Sequence, residues 1–279
     1  YTPGPEVECM ADRPDAFIGT VPQNYDRYLG PVLFHGFADD LTARVPWRPG
    51  VRLLEVACGT GIVTRRLLAR LHGQGTIVAT DLNEAMLAHA RREVPADPAL
   101  EWQQADATTL PFPEGAFDAV VCQFGLMFFP DKARAVREAF RVLKSAGVYL
   151  FNVWDAFEHN PIAQLTHQTV AELFPADPPQ FYATPYGFHR PEPIVAWLEE
   201  AGFEQIEWSR VAQTGSSPTA ADAATGLIDG NPIREDIVRR RSHAVAEVKQ
   251  ALAARIAARL GDQPVQVPLR ALVFTARRP

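Results

Sequence analysis

Apolar positions in the first half of the chain fall into two alternating patterns. Val51–Val56 is a short apolar run and Thr76–Thr80 a β-branched one that reads as a buried strand, and Leu100–Gln104, Phe117–Gln123 and Val148–Val153 read as three further strands. Between them, apolar residues recur at helical spacing. Ile62, Val63, Leu67, Leu68 and Leu71 precede Gly73, and Met86, Leu87, Ala90 and Val94 follow Asn83, a residue type that caps helices. Val136, Phe140 and Leu143 follow Pro130, which is expected to open a helix that Gly147 ends. Strand alternating with helix predicts an α/β fold, a doubly wound and mostly parallel sheet.

Beyond Val153 the pattern loosens. Helices are expected over Asn160–Phe174 and Ile194–Ala201, the latter closed by Gly202, with a proline- and aromatic-rich cover at Pro175–Pro193. Phe203–Arg210 and Leu269–Ala276 read as two late strands, bringing the sheet to seven, and a helical insertion rich in Ala and Arg separates them over Thr219–Leu260. The expected organisation is a flexible arm (1–20) and one domain (21–279). That domain comprises a core (50–155), a cover segment (156–193) and a helical insertion (217–262).

Composition narrows the classes. With 279 residues, 47% hydrophobic and 22% charged, the chain has the make-up of an ordinary globular protein. No apolar run approaches the roughly 18 residues of a membrane span, and Tyr1–Asp12 lacks the basic-then-apolar order of a secretory leader. Cys9, Cys58 and Cys122 form no Cys-x-x-Cys pair, so neither a disulfide framework nor a zinc site is expected, and no histidine spacing points to a metal. A reducing cytoplasm follows as the expected location. The net charge of −6 speaks against a nucleic-acid partner, and Arg239-Arg240-Arg241 reads as a solvated helix face. A monomer or homodimer is expected.

In open parallel sheets ligands bind beyond the carboxyl ends of the strands, here after Val56, Thr80, Gln104 and Val121. The chain places its Gly and acidic residues there. Leu54-Glu55-Val56-Ala57-Cys58-Gly59-Thr60-Gly61 is a Gly-rich strand–helix turn whose backbone can approach a ligand closely. Such a turn also serves NAD enzymes. Asp81, closing the second strand, can accept from both ribose hydroxyls of a nucleoside or simply favour a helix N-terminus. Asp106, in Gln104-Ala105-Asp106-Ala107, can accept from an exocyclic amine while the next N–H donates to a ring nitrogen, together reading an adenine edge. A dinucleotide-binding half needs no acid there.

Over Arg52–Val153 the chain resembles the class I S-adenosylmethionine (SAM)-dependent methyltransferases, especially the group that includes ubiquinone/menaquinone-biosynthesis C-methyltransferases. The residues that carry the resemblance are Glu55–Gly61, Asp81, Gln104-Ala105-Asp106, Leu110-Pro111-Phe112, Phe117-Asp118 and Arg141-Val142-Leu143-Lys144. Ser145-Ala146-Gly147 departs from the family's usual Pro-Gly turn. The resemblance implies a Rossmann-like fold and SAM as cofactor. It puts Glu55, Ala57 and Gly59 around the methionine part, with Cys58 and Gly61 of the same turn in the site, Cys58 by packing alone. It has Asp81 hold the ribose, Leu82 pack on adenine beside Met86, Asp106 with Ala107 read the base edge, and Gln123 lie near the methionine end. An N-terminal aromatic helix, Asn24-Tyr25-Asp26-Arg27-Tyr28, fits a lid over the cofactor; Tyr25 and Tyr28, three apart, equally fit a core face.

The acceptor side is read from residue types. Phe124-Gly125-Leu126-Met127-Phe128-Phe129, Trp154, Phe157, Phe181, Tyr182, Tyr186 and Phe188 suit an apolar or aromatic small molecule. His189, His159 and Tyr25 are the candidate catalytic groups. Rival readings are an NAD(P)-dependent oxidoreductase, for which Gly59-Thr60-Gly61-Ile62-Val63-Thr64 lacks the third glycine, and a non-catalytic SAM-binding protein.

Overall fold

Runs that read as continuous and apolar pair because each can be buried on both faces. The computed structural model describes residues 19–279; Cys9 and all but the last two residues of the expected arm lie outside them. The strands are β1 (Val51–Val56), β2 (Gly75–Asp81), β3 (Leu100–Gln104), β4 (Phe117–Gln123), β5 (Leu143–Trp154), β6 (Glu204–Ser217) and β7 (Val265–Arg277). They form one seven-stranded sheet in the order β3-β2-β1-β4-β5-β7-β6. Strands β1 to β5 pair in parallel, whereas β7 runs antiparallel to both β5 and β6, so the sheet is mixed. The order reverses between β1 and β4, and the carboxyl ends of those two strands therefore open a crevice.

The helices are α1 (Val21–Asn24), a π-helical run Tyr25–Phe34, α2 (His35–Ala43), α3 (Ile62–Leu71), α4 (Glu84–Glu93), α5 (Lys132–Val142), α6 (Pro161–Leu173), α7 (Ala183–Gly187), α8 (Pro191–Ala201), α9 (Ala220–Asp229), α10 (Ile233–Arg240) and α11 (Val245–Leu260). Asn83 caps α4, its side chain accepting from Met86 N at 3.0 Å. Three expectations are corrected. First, α5 begins after Asp131, which accepts from Arg134 N (2.8 Å), and it stops at Val142. The carbonyls of Arg141 and Val142 are taken by Gly115 N (3.0 Å) and Ala116 N (2.8 Å), so Leu143 enters the sheet opposite Phe117 and Gly147 lies within β5. Second, β6 and β7 extend well past the runs that announced them. β7 pairs with β6 along its whole length and with β5 over Ala271–Arg277, while the exposed edge position of β6 blurs its alternation. Third, the N-terminal aromatic segment winds as a π-helix with Pro31 inside, which lacks the N–H of an α-helical ladder. Tyr25 then stacks on Phe34 (4.8 Å, 17°), whereas Tyr28 packs on α9, where a Cβ at Gly226 would come within 2.7 Å of its own. Among the described residues no helix is long and apolar enough to cross a membrane.

Two polar clamps set the loops at one end of the sheet. Arg141 donates to Phe112 O (2.7 Å), Leu110 O (2.9 Å) and Glu138, while Glu138 accepts from Leu110 N (2.8 Å). The guanidinium holds the Glu138 carboxyl below its ordinary range. Also by the amino end of β4, the buried Asp118 accepts from Lys144 (2.9 Å), Arg52 N (2.8 Å) and Arg48. Arg141→Met, which keeps the aliphatic stem, should lower stability in urea by about 1–3 kcal/mol, the range for charge-assisted bonds lost from a half-buried group. An unchanged midpoint would show that the 110–112 loop holds itself.

Candidate active site

The site starts where β1 ends. Gly59 (φ +57°) and Gly61 (φ +80°) turn the chain through the left-handed region, and a Cβ at Gly61 would come within 2.9 Å of Val94. The turn is thereby pressed on the α4 end. Asp81, at the end of β2, ties the two turns together: Oδ2 accepts from Gly59 N (2.8 Å) and Oδ1 from Asn83 N (2.9 Å). Burial raises the Asp81 carboxyl above its ordinary range, and the N–H groups of Asn83, Gly59 and Leu82 oppose that rise. Beyond β3, Asp106 uses one oxygen, Oδ1, to accept from both N and Oγ1 of Thr108 (2.7 Å each), which fixes its loop.

These turns wall a cleft of about 180 Å³. Of the residues expected at the cofactor, Tyr25, Ala57, Gly59, Asp81, Leu82, Met86, Asp106, Ala107 and Gln123 line it. Tyr28, Glu55, Cys58 and Gly61 do not. Glu55 lies behind the wall, 2% exposed, with Oε2 accepting from Thr64 Oγ1 at 2.6 Å; burial pushes its carboxyl up to about 8. Cys58 is buried and its thiol raised by burial, while its N–H donates to Thr80 O (2.9 Å). Val56, Asn83, Ala105 and Pro130 also line the cleft. All four were missed as site residues, though each adjoins a motif that the sequence marks. Among the described residues no Lys or Arg stands on the wall, whereas two carboxylates do.

A second compartment of about 60 Å³ adjoins the cleft and shares Tyr25, Phe124 and Phe128 with it. Phe124 is held at φ +52°, a conformation costing a non-glycine residue about 1–2 kcal/mol. Asn152 Oδ1 anchors it by accepting from Phe124 N at 2.9 Å. Its ring stacks on Trp154 (3.9 Å, 9°), and Trp154 stacks on Tyr186 (5.4 Å, 21°). Phe181, Tyr182 and Asn231 complete the opposite side. Of the other expected acceptor residues, Gly125 and Phe129 line the first cleft, whereas Leu126, Met127, Phe157 and Phe188 line neither space. Phe157 stacks behind Tyr186 (5.0 Å), and Phe188 stacks on Trp197 (5.8 Å). Neither candidate histidine reaches either compartment. His189 Nδ1 lies 3.0 Å from Tyr186 O, and His159 Nε2 lies 3.0 Å from Glu158. Tyr25 does face both spaces, and burial, with the charges of Asp81 and Asp26, drives its hydroxyl far above the ordinary range.

Comparison with known proteins gives a consistent set of relatives. Residues 54–151 match the family described as "Methyltransferase domain". The chain is 31% identical over 180 residues to the ubiquinone/menaquinone biosynthesis C-methyltransferase UbiE of Idiomarina loihiensis, covering 59% of this chain and 70% of that protein. Among solved structures, phosphoethanolamine N-methyltransferase 2 of Haemonchus contortus, in complex with S-adenosyl-L-methionine, is similar with a TM-score of 0.63 at 18% identity, over 97% of this chain and 59% of that one. The [4+2]-cyclase SpnF is similar with a TM-score of 0.55 at 22% identity, over 88% of this chain and 81% of that one. At such identities these structures speak for the fold alone.

Glu55 generates a pH prediction. Its carboxyl releases a proton near the ordinary 4.5 in the unfolded chain and near 8 in the folded one. Between those values the folded state binds more protons, so stability falls as pH rises, by at most about 1.4 kcal/mol per unit. The contribution is complete below about 4.5 and spent above about 8. Glu55→Gln should flatten the decline of melting temperature between pH 5 and 8; parallel curves for the two proteins would contradict a protonated Glu55.

Proposed function

We propose that this chain, which belongs to the family of S-adenosylmethionine-dependent methyltransferases, methylates an apolar or aromatic small molecule held in the second compartment. The observation that carries this reading is continuity: an acidic cleft at the strand ends opens, across Tyr25, Phe124 and Phe128, on a chamber walled by rings. Small-molecule sites are built in this way, with apolar walls and few polar groups.

The residues present fit SAM. Among the described residues the cleft offers Asp81 and Asp106 and no cation, which suits a cofactor carrying a sulfonium and an ammonium and disfavours the pyrophosphate of NAD(P). The buried Gln123 Oε1 has no partner among the described residues and is an acceptor waiting for a donor. On this reading Asp81 receives the ribose hydroxyls through lone pairs that Gly59 and Asn83 leave unused. Leu82, 42% exposed, offers its apolar side chain to the adenine, whose edge is read by the Asp106 carboxylate and the N–H of Ala107. Ala57, Gly59 and Gln123 surround the methionine end, with Glu55 as a buried acid behind them. When bound, the cofactor supplies an electrophilic methyl carbon: an acceptor electron pair forms the new bond as the carbon–sulfur pair passes to sulfur.

The chain's part is alignment and exclusion of water. Tyr25 keeps its proton, so it donates a hydrogen bond and does not serve as a base. Among the described residues the chamber wall carries no His, Lys, Asp or Glu. The reading therefore favours an acceptor that presents its electron pair without a protein base, in a cytoplasm where the buried Cys58 and Cys122 stay reduced.

Calorimetry should show SAM binding and no NADH binding, and methyl-labelled SAM incubated with a lysate small-molecule fraction should label an organic-extractable product. Asp81→Ala should weaken SAM about 10- to 1,000-fold, the range for one or two lost charge-assisted bonds of roughly 1.5–3 kcal/mol each. Wild-type affinity in a folded variant would overturn the ribose assignment. A label found only on macromolecules would overturn the small-molecule acceptor.

A further inference from the structure

Tyr186 is the one feature of the second chamber that packing does not explain. It lies on α7 with 2% of its surface exposed, and its hydroxyl has no hydrogen-bond partner among the described residues. The ring is sandwiched by Trp154 (5.4 Å) and Phe157 (5.0 Å) with Tyr182 at 6.3 Å, so apolar faces surround it. The polar pair beside it is already engaged. Tyr182 donates to Leu227 O (2.8 Å) and accepts from Asn231 Nδ2 (3.0 Å). A phenylalanine would fill the same volume without burying an unpaired hydroxyl, which native proteins rarely do without a reason. Burial and the neighbouring Tyr182 keep the proton on Tyr186, so the group is a donor. Its position is fixed from behind, where His189 Nδ1 meets Tyr186 O at 3.0 Å.

We infer that the Tyr186 hydroxyl selects the acceptor: the chamber takes a planar, largely apolar ring bearing a hydrogen-bond-accepting atom, and Tyr186 donates to that atom. The inference rests on the assignment of the chamber to the acceptor and adds the polar group that orients the ring within it. Tyr186 acts by positioning; no bond is made or broken at its oxygen. Discrimination of this kind is strong, because a ligand lacking the polar atom leaves the buried donor unpaired.

The test uses phenol and toluene, which share a shape and differ by a hydroxyl against a methyl. Each is titrated into the full chain by NMR, with the Trp154 and Phe181 signals as reporters of the chamber. The wild type should bind phenol about tenfold more tightly than toluene, a difference of about 1.4 kcal/mol. In Tyr186→Phe that preference should fall within about twofold, while SAM affinity holds and the melting temperature stays level or rises. A preference that survives in the variant, or is absent from the wild type, would overturn the inference and leave the chamber's assignment standing. A melting temperature lowered by several degrees would reveal an internal partner for the hydroxyl and would also overturn it. If neither probe moves the reporter signals while SAM still binds, the acceptor assignment falls with it and the cofactor assignment survives.

Discussion

The carboxyl edge of this sheet hangs on one buried carboxylate that two turns share. Asp81 takes the N–H of Gly59 on one oxygen and that of Asn83 on the other. Left unpaired, a carboxylate so placed would pay a heavy desolvation cost. Paired, it fixes the spacing between the turn after β1 and the start of α4, which are two walls of the cleft. Cys58 N reaches Thr80 O across the same gap, and Asn83 in turn caps α4. The walls of the cleft are therefore held to one another by hydrogen bonds within the chain. The lone pairs that remain on Asp81 can be spent on binding without reorganising the turns.

Several residues that mark the family turn out to be struts. Leu110-Pro111-Phe112 and Arg141 occur together because Arg141 and Glu138 hold the loop's backbone in both directions, donating to two carbonyls and accepting one N–H. Phe117-Asp118 and Lys144 occur together because Asp118 gathers Lys144, Arg48 and the backbone of Arg52 at the amino ends of β4 and β1. Neither set touches the cleft. Both keep neighbouring parallel strands in register so that their far ends, where Asp81 and Phe124 stand, meet correctly.

β1, β2, β4 and β5 were legible because strands covered on both faces are rich in apolar and β-branched residues, whereas β3, Leu-Glu-Trp-Gln-Gln at the sheet's edge, is no apolar run; β1, β3 and β4 have the bounds read for them. The cofactor segments were legible for a different reason: a Gly turn, an acid and a second acid after successive strands form an ordered constellation. What escaped has physical causes. The fate of Leu143 depends on distant N–H groups at Gly115 and Ala116 that claim the last helical carbonyls, and no local pattern encodes that. The π winding of Tyr25–Phe34 follows from packing against α9 and β6 around Pro31. His189 and His159 were selected on residue type, yet their direction is set by short turns, and both face away from the chamber that Tyr186 and Trp154 wall.

Cleft and chamber consequently answer to different parts of the chain. The cleft is built on strand ends held by buried backbone hydrogen bonds, a rigid frame that tolerates little change. The chamber draws on the π-helical run, on α7, and on Asn231 between α9 and α10, elements joined mainly by ring stacking and a few side-chain bonds. The π-helical run is nonetheless latched to the core, since Asp26 pairs with Arg65 of α3 (2.7 Å) one residue after Tyr25. That latch holds Tyr25 on the seam between the two spaces while the rest of the chamber is free to vary. Resizing or repolarising Tyr182, Tyr186 or Asn231 would then reshape the chamber without touching Asp81 and its turns. At that seam Tyr25, Phe124 and Phe128 line both spaces, so the contents of the cleft and of the chamber meet against the same three side chains.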